Sequence, residues 1–187
     1  MEKELNEKES LAIISSMIAS TKRKLSHDSV HYLLWGWSVL IAALAHYFLL
    51  HSGYEQPYLS WLLMPLTAIA AIIVGRRQKR ERHVSTHIDT AMQYVWTGFL
   101  IMLLLTLALS SKIGFETSYP LLMWLYGLGT FISGGILKFK PLWIGGLLSF
   151  GLGTAAFFLP FDQQLLLLAA AIIVSYILPG HLLKAAK

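Results

Sequence analysis

Histidine is the one reactive side chain present in numbers, with seven copies at positions 27, 31, 46, 51, 83, 87 and 181. Two pairs are spaced four apart, His27/His31 and His83/His87. On a helix that spacing places both imidazoles on one face, a geometry that suits a transition metal. Asp28 and Asp89 stand beside the two pairs as further ligands or as partners that orient the rings. His46 is of another kind, because it falls inside a long apolar stretch, where an ionisable group is a functional candidate by default. There is no cysteine, which removes disulfides, thiolate metal sites and cysteine nucleophiles from consideration.

Other chemistries are weaker. Ile132-Ser133-Gly134 with His181 superficially resembles the rhomboid proteases, but Phe131 stands where that motif wants glycine. A nucleophile also needs a well-placed base, and His181 lies at the end of the last apolar stretch. No catalytic residue is assigned. The run Gly75-Arg-Arg-Gln-Lys-Arg-Glu-Arg82 carries Arg76, Arg77, Lys79, Arg80 and Arg82. Such a cluster attracts phosphate at about 1 kcal/mol per charge near an anionic surface. It lacks the interleaved aromatics of a nucleic-acid stacking surface, so it is read as facing lipid or a protein partner, with no nucleic acid expected.

These groups must be positioned by apolar elements. Of the 187 residues, 56% are hydrophobic and 13% charged, about half the charge of a soluble domain. The apolar residues arrive in six blocks, 30–50, 58–74, 91–109, 119–137, 142–159 and 165–183, with no Asp, Glu, Lys or Arg inside them. That length suits helices crossing a hydrocarbon core of about 30 Å. Barrel strands would be shorter and alternate in polarity. Threaded six times, the chain puts 14 of its 15 Lys and Arg residues on one side, Lys112 being the exception. The positive-inside bias makes that side cytoplasmic, with both termini on it. The opposite connectors, His51–Pro57, Ser110–Ser118 and Pro160–Gln164, carry Glu55, Glu116 and Asp162.

Residues 1–29 read as a separate cytoplasmic segment. Glu9 to Leu25 forms an amphipathic helix with Leu11, Ile14, Met17, Ile18 and Leu25 on one side. It suits a place in the headgroup plane or on a partner. Residues 184–187 are a short tail. Eight of the 14 glycines lie between Gly127 and Gly153. Small residues four apart, among Gly129, Ser133, Gly134, Gly145, Ser149 and Gly153, predict a close antiparallel hairpin of the fourth and fifth spans. Pro141 suits a helix start, and Pro65 inside the second span predicts a kink.

The expected architecture is all-α: a six-helix bundle in a cell (inner) membrane, preceded by the amphipathic helix. The expected function is that of a non-catalytic scaffold, regulator or accessory subunit. Its partners would be membrane lipids, a second copy or a cytoplasmic protein. A small channel or facilitator for a metal cation, using the histidine pairs, is the alternative. A membrane enzyme ranks third.

Overall fold

The computed structural model describes the backbone of residues 7–80 and 87–185 and the side chains of residues 29–78 and 88–185. All regular structure among the described residues is helical. The order is α1 (Glu7–His51), a 3-10 turn (Pro57–Leu62), α2 (Leu63–Arg80), α3 (His87–Ile113), α4 (Phe115–Ile136), α5 (Lys140–Ala156), α6 (Phe161–Ile172), a π-helical turn (Ile173–Ile177) and α7 (Leu178–Ala185). Among the described residues, four stretches are long and apolar enough to cross a membrane: Ser29–His51, Pro57–Gln78, Ile88–Ile113 and Phe161–Ala185. Helix α4 has 22 residues, diluted by glycine, tyrosine and hydroxyl side chains, and α5 has 17.

Several boundaries differ from the sequence reading. The amphipathic segment is not a separate helix, because α1 runs unbroken for 45 residues, roughly 68 Å. No glycine or proline separates Leu25 from Val30, so nothing there forces a turn. Its expected apolar face belongs to side chains outside the described residues. The nine-residue connector Ser110–Ser118 shrinks to Gly114 alone, at φ +83° and ψ 150°, a conformation open essentially to glycine only. Pro65 stands in the first turn of α2, directly after the 3-10 turn. A missing backbone N–H costs least in a first turn, so the proline marks a junction and not a mid-span kink.

Pro141 begins α5. The turn before it closes α4 with a Schellman pattern: Phe139 N–H donates to Gly134 O at 2.9 Å and Lys138 N–H to Gly135 O at 3.2 Å. Lys138 holds the left-handed position at φ +52°. At the other end of α5, the buried Gln164 donates through Nε2 to Ala156 O and Leu159 O, both at 3.1 Å, satisfying carbonyls that a helix end leaves open. The π turn precedes Pro179, which cannot donate to Ser175 O. A widened turn relieves the clash that proline makes with the carbonyl four residues back.

Helix α5 lies between α4 and the α6–α7 segment; α1 packs on α6, the π turn and α7. Met123, Leu142, Leu165, Leu168, Ile172 and Leu183 fill the shared core. Two helices lie at its edge, reaching it through Met64 of α2 and Trp96 of α3. Helix α2 touches α1 and the 3-10 turn, α3 touches α4, and the two are not in backbone contact with each other.

Candidate functional site

Two buried polar–aromatic clusters stand out. The first is near the Asp162 end, where α1, the 3-10 turn, α4 and α6 meet. The 3-10 turn folds back against α1 and brings Trp61 to His46, which is 5% exposed. Trp61 Nε1–H donates to His46 Nδ1 at 2.8 Å, and the Tyr119 hydroxyl lies 3.4 Å from the same nitrogen. Phe161 closes the cluster edge-on, its ring centroid 5.6 Å from His46 and 5.1 Å from Tyr119. Because Nδ1 accepts, the hydrogen-bond network assigns the proton of a neutral ring to Nε2. Nδ1 is thus occupied and cannot ligate a metal. One helical turn on, His51 Nδ1 bonds Tyr47 O at 3.0 Å while Nε2 lies 3.7 Å from Asp162 Oδ2. This contact links α1 to α6 at the surface and, when the imidazole carries a proton, is an ion pair contributing at most about 1 kcal/mol.

The second cluster lies deeper, around the π turn. Tyr176 meets Tyr32 at a centroid distance of 5.8 Å, Tyr126 at 5.7 Å and Trp96 at 6.3 Å. Trp96 also meets Tyr32 at 5.8 Å and Phe99 at 5.3 Å. Four elements converge here: α1, α3, α4 and the π turn. The Tyr176 hydroxyl is buried without a hydrogen-bond partner among the described residues, and leaving such a group unsatisfied costs about 1–3 kcal/mol. π turns recur at functional sites. None of these tyrosines was a sequence candidate. Their signal was position: Tyr126 and Tyr176 stand in mid-span, away from the ends where interfacial aromatics collect.

The sequence candidates fare unevenly. Of the proposed metal ligands, only His31 has a described side chain; its Nε2 lies 3.2 Å from Gln78 Oε1, joining α1 to α2. The side chains of His27, His83 and His87 lie outside the described residues. Arg76 and Arg77 are exposed near the end of α2; the side chains of Lys79, Arg80 and Arg82 fall outside the description. His181 is exposed and meets Trp37 edge-on at 6.5 Å, while the Ser133 hydroxyl is buried without a partner among the described residues.

The small residues serve different seams. A Cβ on Gly134 would collide with the Trp143 backbone, one on Gly153 would lie 2.6 Å from Trp124 Cδ1, and Ser149 Oγ donates to Met123 O at 3.0 Å; all three join α4 to α5. Gly145 instead faces Val174 and Ser175, and Gly129 faces Phe99 and Trp96 of α3. Outside that set, the tightest approach belongs to Gly127 and Gly146: a Cβ on Gly146 would stand 2.6 Å from Phe131 N and 2.7 Å from Gly127 O. Gly36 packs α1 against Tyr176 and Ile177 of the π turn, and Gly180 packs α7 against Leu33 and Tyr32 of α1. No family model matches the chain, and no curated protein or solved structure matches it either.

Proposed function

We propose that this chain is a multi-pass membrane protein of six spans, with both termini at the cytoplasmic face of the cell (inner) membrane. It acts there as a non-catalytic scaffold, regulator or accessory subunit. The observation that carries the reading is the placement of α3. It is as long and apolar as a membrane span, yet within its most apolar 18-residue stretch 0% is buried, and among the described elements its backbone neighbours α4 alone, with Trp96 reaching in to Tyr32 and Tyr176. Such a helix needs lipid or another membrane helix around it, and it offers a flank for a partner without opening the core. The charge asymmetry supports the orientation, with Lys138 and Lys140 at one end and Glu116 and Asp162 at the other. The part of α1 that precedes Ser29 adds a rod of roughly 33 Å, a reach suited to a cytoplasmic partner or a second copy.

The absence of cysteine makes the test direct. Glu116→Cys and Asp162→Cys thiols should react with a membrane-impermeant maleimide on intact cells, and the Lys138→Cys thiol only after lysis; the reverse pattern rejects the orientation. A photoreactive residue at Leu104, exposed on α3, should give a discrete protein adduct in membranes. Lipid adducts alone would count against the scaffold role.

A further inference from the structure

We infer that the projecting part of α1 and the basic inner end of the bundle form a docking corner for an acidic amphipathic helix of a cytoplasmic protein. The inference rests on the membrane reading above and narrows its partner to one chemistry. Height, direction and charge lead to it.

Gln78 of α2 meets His31, and Gly180 of α7 packs on Tyr32 and Leu33. Those two helices end at Arg80 and Ala185, so neither rises more than about 8 Å past Tyr32. The α1 backbone runs on to Glu7, roughly 38 Å past Tyr32 at the same rise per residue. Because it continues the span without a break, this rod stands away from the membrane and does not lie among the headgroups. Its direction follows from the buried half of the same helix. There α1 buries Tyr32, Val39 and Ala43 and exposes Val30, Trp37 and Phe48 on the other side. Positions 11, 14, 18 and 25, which hold Leu, Ile, Ile and Leu, fall within about 60° of the Tyr32 direction on the helix wheel. Positions 12 and 19, both Ala, fall on the exposed side. The apolar stripe therefore overhangs the bundle.

Below it the bundle ends in cations. Lys138 and Lys140 in the α4–α5 turn and Lys184 in α7 are exposed. Gly145 of α5 meets Val174 and Ser175, which sets Lys140, five residues earlier, near the level of Gly180. On the rod, positions 22 and 24 are also lysines, about 80° to either side of the Tyr32 direction. A helix with one apolar face and acidic flanks matches both wall and floor. A second copy does not. Two such rods would set lysine against lysine, and a two-fold axis on the stripe side would pass through the bundle itself.

The test uses full-length protein in phosphatidylcholine nanodiscs, after the thiol labelling above. The probe is a fluorescent synthetic helix of about four heptads, with Ile and Leu along its seam and Glu on both flanks; its counterpart carries Lys flanks. The acidic probe should bind more weakly as salt rises, and a carbodiimide should couple it to Lys138, Lys140 or Lys184. The Lys-flanked probe should bind at least tenfold more weakly. Lys138→Gln/Lys140→Gln/Lys184→Gln should weaken the acidic probe roughly tenfold, as three surface ion pairs together. Ile18→Asp should weaken it roughly a hundredfold, as loss of an anchor does, while Ala19→Asp on the outward side should leave it unchanged. All variants should keep wild-type helicity and elution volume. Equal losses from Ile18→Asp and Ala19→Asp, equal binding by empty nanodiscs, or coupling confined to Lys22 and Lys24 would each overturn the corner. Disulfide-linked dimers through Ile18→Cys and not Ala19→Cys would replace the acidic partner with a second copy. The reversed thiol pattern would overturn the membrane reading, and the corner with it; failed binding with the expected thiol pattern overturns the corner alone.

Discussion

Helix α3 and the α6–α7 segment are both long, apolar stretches, Ile88–Ile113 with 26 residues and Phe161–Ala185 with 25, yet the bundle treats them in opposite ways. The most apolar 18-residue window of the first is 0% buried, and that of the second 56%. Hydropathy therefore says which stretches avoid water and nothing about which become core. The difference is backbone accessibility. On the α6–α7 side, Gly180 admits Leu33 and the π turn receives Gly145 and Gly36, so main chains come close. On α3 the single glycine, Gly98, meets nothing within 4 Å, and bulky side chains cover the rest of the surface. In an apolar solvent the close approach of backbones, and not apolarity, drives helices together.

The sharpest way to break this contrast is to put the same side chain on both surfaces. Gly146→Leu drives a branched chain into the α4 backbone and is expected to destabilise by more than about 3 kcal/mol. Gly98→Leu meets nothing and should not destabilise, with up to about 1 kcal/mol gained from helix propensity. Unfolding in detergent, followed by helicity, reads both, and similar losses at the two sites would remove the distinction. A smaller effect is expected where a polar side chain holds the core together. His46→Phe strands the Trp61 N–H and should cost about 1–3 kcal/mol. Adding Trp61→Phe should recover part of that loss, and additive effects in the double-mutant cycle would refute the coupling. Gln164→Leu exposes the α5 carbonyls it caps and should cost about 1–2 kcal/mol; hydrogen exchange at the end of α5 would localise the loss. The smallest change has the opposite sign: Lys138→Gly removes a left-handed lysine from the hairpin turn and should stabilise by roughly 0.5–1 kcal/mol, seen as a raised melting temperature.

The candidate residues show where sequence reasoning stopped. His46 was visible because an imidazole in an apolar block is conspicuous in one dimension. Its partners were not, because Trp61, Tyr119 and Phe161 come from three other elements, far apart in the chain. The glycine pattern was read as small residues four apart. The α4–α5 contact instead repeats at seven, through Gly127 and Gly134 on one helix and Gly146 and Gly153 on the other. Seven residues are close to two full turns, which keeps a seam on one face. Adjacent Gly145 and Gly146 point to different neighbours, letting α5 sit tightly between two partners.

Composition, the length of the apolar blocks and the placement of proline were enough to establish an all-helical chain with stretches long and apolar enough for a membrane, and the first turn of α5 around Pro141. Those properties are local: each follows from side-chain transfer energies or from one residue's backbone limits. The tertiary structure alone decided that α1 is a single rod, that α2 and α3 stand apart, and that Tyr176 is buried with no hydrogen-bond partner for its hydroxyl among the described residues. These depend on which backbones can approach which. That is a property of pairs of helices, and no single stretch of sequence contains it.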